Sequence, residues 1–459
     1  MRLDLSPRRW ILSPIAIKAR DLDGNALLAF TAAERGFGVL LGNIRLTNKP
    51  YTPPGFVILK NLRPGKATQL VQETHASGQK VGAWCDEGLI YKDPETYCRL
   101  KFDRRAYELV DTYFTWGRNQ TRDLVEKLAC NGDKIRVTGN PRFDVHRPDL
   151  RSVLDTRAER IRRRYGRYVL VNTKFSTFNG FSGSEKNVSV MRARGMLHTA
   201  EQEEEAKGLQ VFQEKVFTAF MQLVDELSRR LPEHTIIVRP HPSENHEPWR
   251  ARAATLPNVK VLFRGNVAEW ILGSDICIHN NCTTGVEAYM LGKPAVSYRP
   301  VCDSRYDLFL PNALSSEAYD LPQLMQIVHA AVRGTTLKQG KEWSDTAKTA
   351  RDFIANLDGR WASEEILDAI EQIDLPEAPL HVRANGFERL TAGARRYLRS
   401  VRELTASGGA TTQERFAKQK FDGIPRSEVI DFLRATQTAT GRFADVQVSQ
   451  LEDDIVCIY

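Results

Sequence analysis

Residues 235–300 constrain the chain most, because two short apolar runs there each break into a polar loop followed by a helical pattern. The first run, Thr235, Ile236, Ile237 and Val238, leads into Arg239, Pro240, His241, Pro242, Ser243 and Glu244. The second spans 275–279 and gives way to Asn280, Asn281, Cys282, Thr283, Thr284 and Gly285. A helix-like stretch over 286–291 follows, with Gly292 suited to the left-handed position just past its end. Short β-branched runs are buried strands, and strands alternating with helices build a parallel sheet. In such a sheet ligands sit outside the carboxyl ends of the strands, where both loops lie.

The free amides at a helix N-terminus attract an anion. Thr283, Thr284 and Gly285 would offer such amides and two hydroxyls, while Arg239 and His241 would bring donors from the neighbouring loop. Glu287, one turn beyond Thr284, would aim a carboxylate at ribose hydroxyls. Pro242, Glu244 and Asn281 complete the donor-binding loops, and Thr173 stands with Lys174 at the end of another strand, 168–172. A plainer reading stays open: Thr283 as a helix cap, Pro240 and Pro242 as stiffeners of a turn, Glu287 as a solvated acid. That two loops fit one ligand weighs toward the phosphate reading.

The same alternation runs through the whole chain. Strands are predicted at 10–15, 38–42, 56–60, 80–85, 113–116 and 134–138, with helices at 23–34, 67–76, 97–110 and 121–129 between them. Gly36, Gly38 and Gly42 lie at a helix-to-strand junction, the wrong end of the unit for a dinucleotide fingerprint. After a crossing segment at 148–167 come strands at 168–172, 235–238, 259–263, 275–279 and 295–298. A Ser/Gly/Asn-rich loop covers 176–187, and a capping box of Asn266 and Glu269 opens a helix to Gly273. Helices are predicted at 201–231, 321–332 and 343–357. The length of 459 residues favours two domains. We expect a Rossmann-like unit at 1–150, a nucleotide-binding one at 151–380, and a C-terminal extension at 381–459 whose role is open, with a Ser407-Gly408-Gly409 link.

In the first half, the strand ending at Cys85 runs into Asp86, Glu87 and Gly88. Adjacent carboxylates at a strand's carboxyl end stand where a catalytic base belongs, although a charged turn reads the same way.

With 42% hydrophobic and 27% charged residues, and no apolar run near the ~20 residues of a membrane span, the chain reads as a soluble protein. Residues 1–17, with Arg2, Arg8, Arg9 and Pro14, read as a strand rather than a signal peptide. Seven scattered cysteines suit reduced thiols in a cytoplasm. The net charge of +8 is diffuse except in one place, where Arg157, Arg160, Arg162, Arg163, Arg164 and Arg167 crowd together. That block reads as a solvated helix between domains, or as a patch resting on the anionic inner membrane. No nucleic-acid motif stands beside it, so no nucleic-acid partner is expected. Cys277, His279 and Cys282 lack a fourth ligand and read as buried core rather than zinc. No cofactor and no metal are expected, since no Asp-x-Asp pair sits at a strand end.

This arrangement resembles the GT-B glycosyltransferases: an α/β fold of two Rossmann-like domains facing across a cleft, with the nucleotide on the second. The resemblance covers roughly residues 8–380. Asp86-Glu87-Gly88 and His241-Pro242 are similar to the acidic-acidic-Gly and His-Pro motifs of bacterial GT-B enzymes that use CMP-activated sugars, the sialyltransferases and Kdo transferases. Thr283 and Thr284 stand where that group usually has serines. The opening, Pro14-Ile15 through Arg20, Asp21, Leu22 and Asp23, resembles bacterial surface-carbohydrate biosynthesis proteins, although Ala16 occupies a position that is commonly acidic there.

The resemblance implies transfer of a CMP-activated sugar to a glycan or glycolipid acceptor. Asp86 would take the acceptor proton with Glu87 helping to position it, His241 would donate to the departing phosphate, and the amides of Thr283 to Gly285 would stabilise its growing charge. The loops at 139 and 283 also resemble UDP-GlcNAc 2-epimerase-like enzymes and CDP-polyol phosphotransferases. A catalytically silent nucleotide-sugar-binding protein is a rival of another class.

Overall fold

A computed structural model describes residues 2–335 except 182, 184 and 194, together with 343–383 and 417–459. Two parallel sheets carry the two loop systems. The first is ordered β15 (Val448–Glu452), β16 (Ile455–Ile458), β3 (Gly38–Asn43), β2 (Trp10–Ile15), β4 (Phe56–Leu59), β5 (Lys80–Ala83), β6 (Thr112–Thr115) and β7 (Ile135–Val137). From β3 to β7 the pairing is parallel, and β16 joins β3 antiparallel. A separate ribbon pairs β1 (Arg2–Arg8) with β14 (Ala378–Arg383).

The second sheet is ordered β10 (Val259–Val261), β9 (Thr235–Arg239), β8 (Tyr168–Asn172), β11 (Ile276–His279), β12 (Ala295–Tyr298) and β13 (Ser316–Ala318), all parallel. Every residue of β8 is buried, since helices cover both faces of the sheet. The strand order reverses between β8 and β11, as in a Rossmann fold, and a crevice opens at such a reversal. Thr173 and Lys174 follow β8 there, and Asn280 to Thr284 follow β11. In the first sheet the reversal falls between β2 and β4, one strand from the Asp86 loop. The chain is thus α/β, with two Rossmann-like units facing across a cleft.

Most predicted elements form within a residue or two of their expected ends, including the Asn266–Glu269 capping box. Four helices start early: the one predicted at 97–110 begins at Pro94 and is split into Pro94–Lys101 and Arg104–Leu109, and the one predicted at 121–129 begins at Arg118. The helix Lys18–Glu34 begins five residues before 23, and Thr283–Met290 begins three before 286, with extended Cys282 as its cap. Thr283 is therefore inside the helix rather than its cap. Gly292 takes φ +63° just past the end, as expected.

The crossing helix Ser152–Tyr165 binds the halves together. Its Val153 and Leu154 share a core with Phe30 of the first half and Trp270 of the second. Arg157 donates to both carboxylate oxygens of Asp23 at 3.1 Å and to Glu269 at 3.4 Å, while Arg162 and Arg167 each reach Asp275 at 3.0 Å. Arg157, Arg162 and Arg167, half of the arginine block, therefore serve internal pairs. Arg160, Arg163 and Arg164 remain exposed. No helix among the described residues is long and apolar enough to cross a membrane.

The end of the chain returns to the first half. Helices Ala362–Glu371 and Arg426–Thr440 pack on Lys18–Glu34, where Phe30 meets Phe432 and Phe443 at ring distances of 5.8 and 6.0 Å. The Ser407-Gly408-Gly409 link lies outside the described residues, as do 182 and 184 of the 176–187 loop. That loop passes into a helix at Glu185–Ala193.

Candidate active site

One cavity of about 650 Å³ separates the two sheets and receives both motif loops, a size suited to a small-molecule ligand. On its first wall, β5 ends at Ala83 rather than Cys85, but the Trp84 and Asp86 amides still bond to Leu59 O and Lys60 O at 3.1 Å each. Gly88 makes the turn where a Cβ would meet Gln120 Nε2 at 2.7 Å and Cys85 Cβ at 2.8 Å. Asp86 is thereby held at the cavity. Its Oδ1 accepts from Trp84 Nε1 at 2.7 Å and its Oδ2 from Arg20 Nη2 at 3.1 Å.

Arg20 also clasps Asp21 through two bonds of 2.6 and 3.2 Å. Behind them lies Lys60, buried, 4.2 Å over the Trp84 ring and bonded to Asn25. Burial, reinforced by the Asp21 carboxylate, pushes the Asp86 pKa up to about 6 against the pull of Arg20 and Lys60. Burial likewise lowers Lys60 to about 8. A carboxylate poised near 6 is ionised at neutral pH yet still basic enough to accept a proton usefully.

Glu87 is of another kind. Burial would raise its pKa, but Lys101, Arg63 and Arg20 hold it well below the usual range. It pairs with Lys101, with Arg63 at 2.8 Å and with Arg20 at 3.5 Å. So strongly paired a carboxylate organises cations and is a poor proton acceptor.

The opposite wall sets a neutral ring beside Lys174, which follows β8 and lines the cavity. His241 Nδ1 accepts from the Ser243 amide at 3.1 Å, so in the neutral ring the proton sits on Nε2. Burial depresses the His241 pKa to about 3, so the ring is a neutral donor. Its loop is braced by fully buried Glu244, whose Oε1 accepts from Thr173 Oγ1 (2.8 Å), the Phe175 amide (2.9 Å) and the His241 amide (3.2 Å), and whose Oε2 accepts from Trp249 Nε1 (3.2 Å). Thr173 and Glu244 therefore brace the loops; Thr173 also lines the cavity, whereas buried Glu244 lies behind it, a correction to its expected contact with the donor.

The Arg239 guanidinium donates to Arg264 O at 2.8 Å and Gly265 O at 2.6 Å and stacks on Phe263, so it is committed within the fold. Asn281, at φ +47°, spends its side chain on Asp307 (3.1 Å), the Leu308 amide (3.2 Å) and Asn312 (2.8 Å). Thr173, Arg239, Pro242, Asn281, Thr283 and Thr284 all line the cavity.

Gly285 does not serve as predicted, because its amide turns back to Cys282 O at 3.0 Å. Its missing Cβ instead makes room for His279 and Ser315, the latter at 2.8 Å. Glu287 is wholly buried, paired with Arg142 rather than open to a ribose, and its Oε2 has no partner among the described residues. The Thr284 hydroxyl is likewise buried without a partner. His279 is occupied by Ser315 at 2.8 Å, as a core histidine. Among the described residues no cluster of His, Cys, Asp and Glu could hold a metal ion.

Residues with no predicted role complete the cavity: Arg20, Arg63, Lys101, Arg142 and Lys174. In all, eleven lysines and arginines line it against four carboxylates, a surface for an anionic ligand. Arg142 stands between the walls, paired with Glu287 while feeling the charges of Asp21 and Asp86. Its place in the Gly-Asn-Pro-Arg loop was the one available signal.

No protein-family model matches the chain, and no curated protein matches it. Solved structures give distant likenesses. HepE of Anabaena in complex with UDP and glucose is 11% identical over 80% of this chain and 100% of its own, with a TM-score of 0.41. The wall teichoic acid polymerase TagF with CDPG is 11% identical over 80% of this chain and 89% of its own, at 0.49. UDP-GlcNAc 2-epimerase from Neisseria meningitidis bound to UDP-GlcNAc is 13% identical over 79% of this chain and 100% of its own, at 0.46. Likeness this distant leaves the chemistry of the cleft to its own residues.

Proposed function

We propose that the protein is a glycosyltransferase that moves a CMP-activated ulosonic acid, such as Kdo or a sialic-acid-like sugar, onto a surface polysaccharide or lipopolysaccharide acceptor. The observation that carries this reading is that Asp86, poised near pKa 6, shares one cationic cavity with the neutral ring of His241 and the first turn of the helix Thr283–Met290. The acceptor oxygen attacks the anomeric carbon as Asp86 takes its proton, and the bond from that carbon to the phosphate oxygen breaks. The departing CMP carries the electron pair, and the growing charge meets the His241 Nε2 proton, the Thr283 and Thr284 amides, and Lys174. The choice of CMP rests on the similarity of Asp86-Glu87-Gly88 and His241-Pro242 to the motifs of CMP-sugar enzymes. Exposed Arg160, Arg163 and Arg164 are the residues left for a peripheral contact with an anionic membrane.

Incubation with CMP-, UDP-, GDP- and CDP-activated donors, with and without EDTA, tests the reading through release of free nucleotide. Release from CMP-sugars that survives EDTA supports it. Release confined to UDP-sugars favours epimerase-like chemistry, release from CDP-polyols favours a phosphotransferase, and release from none leaves a silent binding protein.

A further inference from the structure

Residues 417–422 are remote in sequence from both motif loops, yet they touch one of them. Gln419 Nε2 donates to the Pro242 carbonyl at 2.6 Å and lies 3.3 Å from His246 Nε2, which itself meets the His241 carbonyl at 3.3 Å. The next residue, Lys420, lines the cavity together with His241 and Thr283.

The same segment is tied to the first half of the molecule. Lys18 pairs with Asp422 at 3.1 Å and with Glu428 at 2.8 Å. The Ile424 amide bonds to Asp453 O at 3.0 Å, between the strands β15 and β16 that extend the first sheet. One short piece of chain therefore joins both walls of the cleft.

We infer that residues 417–422 form a strap that completes the donor-phosphate site, with Gln419 positioning the His241-Pro242 loop and Lys420 contributing its ammonium to the phosphate. The inference rests on the function proposed above. A lysine on a flexible stem suits this task, since an ammonium binds phosphate as a point charge without needing the fixed fork of an arginine. Gln419 is a positioning residue, because it acts on the ligand only through the loop it holds. The pairings of the strap to the first half hold Lys420 at the cleft.

Calorimetric titration of CMP and of cytidine into the full chain tests this. Lys420→Ala should weaken CMP by roughly tenfold or more, the scale of a charge-assisted hydrogen bond, while leaving cytidine unchanged because cytidine has no phosphate. Lys420→Arg should restore most of the loss, and Lys418→Ala, outside the cavity, should change neither ligand. Gln419→Ala should raise the donor KM and leave the acceptor KM unchanged. If His241→Ala weakens CMP and Lys420→Ala does not, the strap is structural only and the inference fails while the function stands. A Lys420→Ala variant that weakens CMP and cytidine alike would mark a general loss of the pocket, and would also overturn it. If the wild-type protein binds none of CMP, CDP, UDP or GDP, the function fails and the phosphate role of Lys420 fails with it.

Discussion

The two walls of the cleft solve their chemical tasks with different materials. The wall at Asp86 is a lattice of full charges: Asp21, Asp86 and Glu87 interleaved with Arg20, Lys60, Arg63 and Lys101. The wall at His241 offers a neutral imidazole and the amides of a helix start, held from behind by Glu244. A dense charge lattice can set a proton affinity, because each nearby charge shifts the balance between the two protonation states of a carboxyl. Neutral, preorganised donors stabilise a charge that appears only during the reaction, without having to reorganise at that moment. The difference suits the division proposed above, with proton transfer at the first wall and the leaving group at the second, where Lys174 stands beside the neutral donors.

The strongest way to break that division is Asp86→Asn. It should lower turnover by roughly 10² to 10⁴ while leaving CMP affinity nearly intact, as measured by single-turnover rates beside calorimetry. The base acts when deprotonated, so wild-type turnover should rise with pH through about 6 and level off above it. Residual turnover of the variant should lack that rise. Loss of CMP affinity equal to that of His241→Ala would place Asp86 in the nucleotide pocket instead.

The link between the walls is tested by Arg142→Met. Removing one partner of a buried ion pair leaves the other uncompensated, at about 3 to 5 kcal/mol, and Glu287 is fully buried with one oxygen already unpartnered. Urea denaturation should show that loss, and adding Glu287→Leu should recover much of it. An unchanged midpoint would mean that the two halves do not depend on this pair.

The contrast also explains what was legible in the sequence. The neutral wall is built from contiguous residues at strand ends, so the strand, loop and helix pattern located His241 and Thr283 directly. The charged wall is assembled across the fold, with Arg20 at the start of one helix, Lys60 after β4 and Lys101 at the end of the helix Pro94–Lys101. No spacing announces such a set. Glu244 and Glu287 have ligand-like side chains in ligand-like loops, but both are fully buried and bond inside the fold rather than facing the cavity. The end of the chain was opaque for a related reason. Strands β15 and β16 belong to a sheet whose other members lie some 300 residues away or more, and nothing local marks that pairing.

On the neutral wall, His241→Ala removes a hydrogen bond to a charged phosphate, of about 1.5 to 3 kcal/mol. CMP binding should weaken by roughly tenfold to 150-fold, with or without acceptor. His241→Gln should keep much of the affinity, because its amide nitrogen can present a neutral N–H near the position of Nε2. A glutamine as damaging as alanine would argue that the bound imidazole becomes charged, and would bring the two walls closer in kind.

The smallest effect expected is that of Thr283→Ala, and it sharpens the comparison most finely. Thr283 is the first residue of its helix, and Gly285 donates its amide back to Cys282, so the free main-chain donors of that turn belong to Thr283 and Thr284. If those amides carry the contact to phosphate, deleting the Thr283 hydroxyl leaves them in place. The loss should then stay near that of a neutral hydrogen bond, about 0.5 to 1.5 kcal/mol, which is roughly twofold to thirteenfold in CMP affinity. Thr283→Pro, which the first helical position tolerates but which lacks an amide hydrogen, should cost more than Thr283→Ala in the same titration. Equal losses in the two variants, both of which lack the hydroxyl, would show that the hydroxyl rather than the Thr283 amide is the donor. The second wall would then bind through side chains much as the first does.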